Sequence, residues 1–127
     1  MEYLLDTHTA IWALEENERL SPSVAAIVGD RSNFLCISIA SAWEIAIKSG
    51  IGKLKYEGGA AAFLAKLRSA GVDIVGIEDA HVSAVEKLPL LHRDPFDRLL
   101  VATAITEGMT ILTIDENIHK YNVNCIW

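Results

Sequence analysis

The sequence contains little cysteine, which limits the metal and disulfide sites that it could form. It also shows no sign of a second domain. Cys36 and Cys125 are its only cysteines, and they lie far apart in apolar segments without a C-x-x-C spacing. Such a pair indicates neither a zinc site nor a disulfide framework, and we predict two buried free thiols. The 127 residues contain no internal repeat, low-complexity tract or linker, so we expect one domain over residues 1–127.

Long hydrophobic runs are also missing, although hydrophobic residues make up 51% of the chain. Runs such as FLCISIASAW are interrupted by serines well before they reach a membrane-spanning length. The start MEYLLD has no basic segment and meets Asp6 after two leucines, which is typical of a first strand and not of a signal peptide. We therefore expect no membrane segment and a cytoplasmic location.

Positive charge is in deficit, because 11 Lys and Arg residues stand against 17 Asp and Glu residues, for a formal net charge of −6. Broad electrostatic binding of nucleic acid depends on a surplus of Lys and Arg that neutralises phosphates. Any nucleic-acid substrate would therefore have to be held locally or through a cation.

Motifs for nucleotide-dependent chemistry are absent as well. No glycine-rich dinucleotide fingerprint follows the first strand, and GIGKL lacks the spacing and the hydroxyl of a P-loop. A haloacid-dehalogenase-like phosphatase needs a second Asp two residues after Asp6, where this chain has His8. A receiver domain needs an acidic pair near the first strand, and that pair is missing too.

The sequence does contain a regular alternation of strand and helix patterns. The strand patterns are EYLLD, NFLCISI, VDIVGI, TILTID and VNCIW, and a turn is expected before the last of them. Thr7 or Thr9 is expected to cap the first helix. The alternation predicts an α/β fold, a three-layer α/β/α sandwich with a parallel sheet of four or five strands.

Capping residues predict several helix boundaries. Ser21 followed by proline is a helix-start pair, because proline at the first helical position loses no hydrogen bond. The helix in SAWEIAIKSGIGKL should end near Gly50 or Gly52, since glycine accepts the left-handed conformation of a C-cap. A further helix is predicted from Pro95 to about Glu107.

Four acids lie where the ends of these elements would bring them together. Asp6 follows the first strand and Asp115 follows ILTI, and the carboxyl ends of parallel strands share one edge of a sheet. Glu44 lies one or two turns into the helix after FLCISI, and Asp97 lies in the first turn of the helix that begins near Pro95. Carboxylates from four separate segments can therefore converge on one crevice.

Each acid also has a structural interpretation. An Asp after a strand is commonly a helix cap or a turn residue, which would account for Asp6 and Asp115. Asp94 before Pro95, with Asp97 in the first turn, is by itself a good helix N-terminus. We expect capping, and not metal ligation, to be the role of Asp94.

Glu44 is the most informative acid, because the helix around it is apolar on nearly every side. A carboxylate in such surroundings is costly unless something pairs with it. Lys48, one turn later, is the structural candidate for that partner, in an ion pair worth about 0.2 to 0.5 kcal/mol on an exposed helix face.

Taken together, the acids favour a metal site. Carboxylates within about 4 to 6 Å of one another repel and raise one another's pKa, which destabilises the site until a cation binds. An all-oxygen site suits Mg²⁺ or Mn²⁺. Such a site orients a water for in-line attack on phosphorus and stabilises the leaving oxygen. Metal-dependent hydrolysis of a phosphodiester is the chemistry that this set of acids would serve best.

Three blocks of the sequence resemble the PIN-domain nucleases, and among them the VapC-type toxins of bacterial and archaeal toxin–antitoxin pairs: YLLDTHTAIWAL, SIASAWEIAIKSGIGKL and HRDPFDRLLVATAITEGMTILTID. They span most of the chain. The resemblance implies an α/β/α sandwich, a homodimer, Mg²⁺- or Mn²⁺-dependent endoribonuclease activity and an inhibiting antitoxin. At the family level it suggests transfer RNA as the substrate.

Carried over position by position, the resemblance makes Asp6, Glu44, Asp97 and Asp115 the catalytic and metal-binding acids. The family's hydroxyl group near the fourth acid falls on Thr113, with Thr7 beside the first acid as the alternative. Lys48, Arg93 and Arg98 are further candidates, because a positive group near the acids could bind the phosphate next to the scissile bond. Surface solvation explains these three cations equally well.

The histidines show no H-x-x-x-H or triad-like spacing, and we expect structural or solvated roles for all of them: His8, His81, His92 and His119. The alternative function is a non-catalytic module of the same fold that binds RNA or a protein partner. Acids at all four family positions count against it, because a degenerate site would be free to lose them.

Overall fold

A computed structural model of the chain describes residues 2–127. Five strands form one parallel sheet: β1 Glu2–Leu5, β2 Phe34–Ser38, β3 Asp73–Val75, β4 Thr110–Leu112 and β5 Cys125–Ile126. Their order across the sheet is β3-β2-β1-β4-β5. The upper end of the predicted strand number is therefore correct, and every pairing is parallel as expected.

Helices connect the strands: α1 Thr7–Glu15, α2 Pro22–Gly29, α3 Ile39–Gly50, α4 Gly59–Ser69, α5 Asp79–Lys87, α6 Pro95–Glu107 and α7 Glu116–His119, with a short 3-10 helix at Asn17–Arg19. Within residues 2–127, none of these helices has the length and apolar character that crossing a membrane requires.

Two apolar cores lie on the two faces of the sheet, because successive residues of a strand point to opposite sides. Tyr3 and Leu5 of β1 belong to a core that also contains buried residues of α1, α2, α3 and α4. Leu4, between them, belongs to a second core with residues of α6 and Ile118 of α7. The predicted three-layer α/β/α sandwich is confirmed.

Several predicted helix boundaries agree with the structure. Ser21 caps α2 through its hydroxyl, which accepts the Val24 N–H at 3.1 Å, and α3 ends at Gly50. The helix α6 runs over the predicted range from Pro95 to Glu107. Local capping chemistry was therefore a sufficient guide for α2 and α6, whereas α3 ends at the predicted glycine without the predicted left-handed C-cap, because Gly50 is helical and the capping residue Ile51 has φ −107°.

Among the residues that the sequence offered as the cap of α1, the aspartate is correct and the threonines are not, and the simple turn predicted after Asp115 is wrong. Asp6, and neither threonine, caps α1, because its Oδ1 accepts the Thr9 N–H at 2.8 Å. The hydroxyls of Thr7 and Thr9 instead donate to groups outside their own helix. The segment after Asp115 is not a simple turn but the short helix α7, which the Asp115 side chain caps by accepting the Asn117 N–H.

The order of the strands determines where a site can form. The chain places β2 and β3 on one side of β1 and then returns to place β4 and β5 on the other side. In open parallel sheets, ligands bind at the carboxyl ends of the strands where the order reverses in this way. The reversal lies between β1 and β4, so residues that follow these strands are the ones expected in a site.

Candidate active site

A small crevice opens at the carboxyl ends of β1 and β2, beside the start of α6. Its lining combines three acids with hydroxyl groups and a few apolar side chains: Asp6, Thr7, Ser38, Ala40, Ser41, Glu44, Phe96, Asp97 and Leu100. Three of the four predicted acids therefore share one crevice, although they come from three different elements.

Asp6 lies at the reversal point and is almost fully buried. One carboxylate oxygen caps α1, and the other accepts a 2.5 Å hydrogen bond from the Thr113 hydroxyl, which follows β4. Burial raises the pKa of Asp6, while the hydrogen bonds from Thr113 and Thr9 act in the opposite direction. The Thr113 hydroxyl also accepts the Asp115 N–H at 3.0 Å, so it links the first and fourth acids.

Glu44 is buried in α3 and has a donor on each carboxylate oxygen. The Thr7 hydroxyl donates to Oε1 at 2.6 Å, and the Lys48 ammonium lies 2.5 Å from Oε2. This hydrogen bond to Glu44 raises the pKa of Lys48. The ion pair expected from the sequence is present, but it lies in a crevice next to other acids and not on a free surface.

Asp97 is half-buried in the first turn of α6. Burial, followed by the charges of Asp94, Asp115, Glu44 and Asp6, raises the pKa of Asp97 to about 7. The charges of Asp6, Glu44 and Asp115 all act on Asp97, so each of these three acids lies within electrostatic range of it.

Asp115 and Asp94 border this group without lining the crevice. Asp115 caps α7 and is partly exposed. Asp94 accepts the Phe96 and Asp97 N–H groups at 2.9 and 3.1 Å, which confirms it as the cap of α6.

The two arginines that were candidates for phosphate binding differ in their placement. Arg93 is exposed, immediately before the cap of α6. The guanidinium of Arg98 donates to the carbonyls of Pro89 and Val85 and to the Tyr121 hydroxyl, at 2.9, 3.3 and 3.0 Å. Three of its five N–H donors are used for anchoring, which favours a structural role for Arg98 over phosphate binding.

The sequence prediction missed two residues of the site. Ser38 lines the crevice and caps α3, and its position as the last residue of β2 was an available signal. His92 lies 3.3 Å from Asp97 Oδ2 through its Nε2, in the segment just before the cap of α6. No spacing rule indicates this contact, because His92 precedes the helix in an irregular segment.

A second group of possible metal ligands lies elsewhere. Within residues 2–127, only Glu78, His81 and Glu107 bring three ligand atoms within 4.8 Å of one another. His81 Nδ1 accepts the Glu78 N–H, so the ring carries its proton on Nε2 and donates it to Glu107 at 2.8 Å. With both ring nitrogens occupied in this way, His81 ties α5 to α6, which agrees with the structural role expected for it.

The oxygens of the crevice acids are more widely spaced than that triad. This wider spacing is compatible with Mg²⁺. In proteins Mg²⁺ retains several waters and is usually bound by only one or two carboxylates together with substrate phosphate, and not by a closed cage of protein ligands. The possible metal ligands of the crevice are all oxygen atoms. They include the carboxyl group of Asp97, whose ionisation is opposed by the neighbouring negative charges. A divalent cation would relieve that repulsion, so the residues fit the group that the sequence implies.

Comparison with known proteins identifies a family for the chain. The PIN domain family model matches residues 3–124. Ribonuclease VapC22 of Mycobacterium tuberculosis is 29% identical over 119 residues, which cover 93% of this chain and 90% of that protein.

Solved structures show the same fold at lower identity. VapBC2 of Rickettsia felis, bound to a DNA fragment from its promoter, is 17% identical with a TM-score of 0.73 and covers 99% of this chain and 98% of its own. DNA-bound VapBC of Salmonella typhimurium is 14% identical with a TM-score of 0.72 and covers 99% and 97%. The family match over residues 3–124 shows that this chain belongs to the PIN domain family, and the strand order and the acidic crevice at the carboxyl ends of the strands agree with it.

Proposed function

We propose that the chain is a Mg²⁺- or Mn²⁺-dependent endoribonuclease and acts as the toxin of a toxin–antitoxin pair. The observation that carries the proposal is the meeting of Asp6, Glu44 and Asp97 in one crevice at the carboxyl ends of the strands. The similarity to a ribonuclease of the VapC type supports RNA, and not another phosphodiester, as the substrate.

Asp6, Glu44 and Asp97 are the residues that would hold the cation, with Asp115 at the rim. A bound Mg²⁺ or Mn²⁺ supplies positive charge that offsets the acids and stabilises the charge that develops on the phosphate during hydrolysis. The protein's own contribution is to hold the acids in place before the substrate arrives.

Hydroxyl groups and a lysine provide that preorganisation. Thr113 fixes Oδ2 of Asp6, and Thr7 fixes Oε1 of Glu44, both from positions where the hydroxyl is buried. Lys48 remains partly exposed while it contacts Glu44, so its ammonium is available to a phosphate oxygen at the same time. Arg93, exposed before the cap of α6, is the second cation that we assign to phosphate binding.

A protein partner is supported by apolar surface next to the crevice. Trp43 and Ile47 on α3, and Ile51 just after its end, follow one another at four-residue spacing and are 58%, 39% and 62% exposed. The Trp43 ring packs on Phe96 of the crevice lining, with centroids 5.4 Å apart. We infer that an antitoxin covers this surface and that its addition suppresses cleavage, and the presence of VapBC complexes among the structural relatives supports a partner of this kind.

A homodimer and a cytoplasmic location complete the proposed assembly. Exposed apolar side chains on the neighbouring helices α5 and α6, Val82 and Ile105, support a contact between two copies. Sedimentation velocity tests this, because a dimer has twice the mass of the 13.9 kDa chain.

Cleavage of a mixed RNA pool that includes transfer RNA tests the proposed activity. The purified protein should cut with Mg²⁺ and with Mn²⁺, and it should not cut with a chelator. Asp97→Asn should lose at least about a hundredfold in rate, because a ligand and its charge are removed together. Asp73→Asn makes the same chemical change at an exposed position outside the crevice and should cut like the wild type.

The alternative is a non-catalytic module that binds RNA or a protein. It predicts that folded, antitoxin-free protein cleaves no RNA under any condition. It also predicts that the wild type and Asp97→Asn both still bind RNA. Cleavage that survives in Asp97→Asn would contradict the assignment of the site.

A further inference from the structure

Three side chains outside the crevice connect in series to one of its acids. Arg98 Nη1 lies 3.0 Å from the Tyr121 hydroxyl, and that hydroxyl lies 2.8 Å from His92 Nδ1. His92 Nε2 in turn lies 3.3 Å from Asp97 Oδ2. The hydrolysis proposed above assigns nothing to this series.

The direction of each hydrogen bond follows from the first donor. An arginine only donates, so the Tyr121 oxygen accepts from Arg98 and its own proton is free to point to His92 Nδ1. A neutral His92 then carries its proton on Nε2 and donates it to Asp97. The other neutral tautomer would leave the Tyr121 proton without an acceptor and would turn a ring lone pair towards a carboxylate.

The series is anchored to the body of the protein. Besides Tyr121, Arg98 donates to the carbonyls of Val85 in α5 and Pro89 after it, at 3.3 and 2.9 Å. Tyr121 is buried after α7, and its ring packs edge-on against the His92 ring with centroids 5.4 Å apart. The imidazole is therefore held by this ring contact and at both of its nitrogens.

We propose that His92 is a positioning residue for Asp97, and that Tyr121 and Arg98 hold the imidazole so that Nε2–H faces Oδ2. The inference rests on the proposed function, in which Asp97 binds the cation. A carboxylate that is already oriented loses less freedom when it binds a cation, so its affinity for the cation rises. Groups that orient metal ligands in this way typically change metal affinity by about 10- to 100-fold.

Binding of Mn²⁺ tests the proposal without any need for cleavage, since electron paramagnetic resonance measures free Mn²⁺ over the folded protein. His92→Phe keeps a ring but removes the donor, and its Kd should rise about tenfold. His92→Gln places an amide N–H near the position of Nε2 and should recover most of the affinity. Tyr121→Phe, which leaves Asp97 and His92 intact, should raise the Kd by about threefold.

Two further variants give the controls. Tyr56→Phe also removes a bonded hydroxyl, one that donates to exposed Glu15 at 2.8 Å, and it should leave the Kd unchanged. Asp97→Asn should abolish most of the binding. In cleavage assays, His92→Phe should lower kcat while the KM for RNA stays the same.

The outcomes separate the two proposals. If Asp97→Asn binds Mn²⁺ like the wild type, the proposed site fails, and the inference fails with it. If Asp97→Asn loses binding while His92→Phe and Tyr121→Phe keep the wild-type Kd, the site stands and the positioning role is overturned, whatever their melting temperatures. If His92→Gln binds as weakly as His92→Phe, the ring's shape matters and its donor does not, which also overturns the proposal.

Discussion

Asp97 is half-buried among other carboxylates, and both conditions oppose its ionisation. Burial, then the charges of Asp94, Asp115, Glu44 and Asp6, raises its pKa from 3.8 to about 7. The folded protein therefore holds a proton that the unfolded chain releases near pH 4. The stability that comes from this proton is fully present below about pH 4 and is lost as the pH rises to about 7.

Asp97→Asn should remove this loss, because an amide stays neutral at every pH. With a chelator present, the difference in the free energy of unfolding between the variant and the wild type should increase by about 2 to 3 kcal/mol in favour of the variant as the pH rises from 5 to 8. Urea unfolding at a series of pH values measures the difference. Asp73→Asn, at an exposed position, should follow the wild type throughout. A difference between Asp97→Asn and the wild type that does not change with pH would contradict the raised pKa.

The three acids of the crevice are stabilised by different groups. Their carboxylates should therefore respond differently to an added cation. Two threonine groups donate to Asp6, and a lysine neutralises Glu44. Asp97 has a histidine at 3.3 Å and no positive side chain of the Arg or Lys type bonded to it among residues 2–127. Asp97 is therefore the acid whose charge responds most to an added cation.

At the scale of the element, the N-terminus of α6 carries two functions in four residues. Asp94 caps the helix and its charge also raises the pKa of Asp97, while Asp97 itself lines the crevice. Loss of the Asp94 cap would loosen the first turn of α6, which positions Asp97.

Asp94→Ala should lower the free energy of unfolding by about 1 kcal/mol, because two backbone N–H groups lose their acceptor. Cleavage should fall as well, since the first turn of α6 carries Asp97. Asp94→Ser keeps an acceptor and should retain most of the stability. Chemical unfolding and the RNA cleavage rate measure the two effects.

Ser21→Ala is the matched control, because it removes the cap of α2, far along the chain from the crevice acids. It should cost a similar free energy of unfolding and leave cleavage unchanged. If both cap variants lost cleavage to the same extent, general destabilisation would explain the effect of Asp94→Ala and its specific link to Asp97 would be wrong.

Elements were predictable where the signal is local. The Ser21 cap, the end of α3 at Gly50 and the bounds of α6 depend on residues that are neighbours in sequence. The sequence left the cap of α1 open between Asp6 and the two threonines, because three residues near the start of the helix could each supply an oxygen. Which one faces the helix depends on Glu44 and Leu112, which accept from the two threonine hydroxyls and are distant in sequence.

At the scale of the whole molecule, the sequence predicted which acids follow strands but not how the strands are ordered. The order β3-β2-β1-β4-β5 brings Thr113 to Asp6 across 107 residues. The anchoring of Arg98 could not be predicted either, because its partner Tyr121 lies 23 residues away after α7. Contacts of this kind follow from packing, for which the sequence pattern contains no local signal.

The net charge of −6 and the convergence of acids lead to a prediction about the whole fold. Mg²⁺ that binds only the folded protein stabilises it, and a Kd of about 1 mM with about 10 mM Mg²⁺ corresponds to about 1.4 kcal/mol. The Tm should then rise by about 5 °C. The rise should be larger at pH 8 than at pH 5, because the proton on Asp97 competes with the cation at the lower pH.

Two variants decide which acids cause the rise. Asp97→Asn should abolish it. Glu107→Gln should leave it unchanged, because the amide oxygen still accepts from His81 while the triad of Glu78, His81 and Glu107 loses a charge. Differential scanning calorimetry at both pH values, with Na⁺ at matched ionic strength as the reference, measures the increments. A rise that persists in Asp97→Asn and disappears in Glu107→Gln would move the cation from the crevice to the surface between α5 and α6.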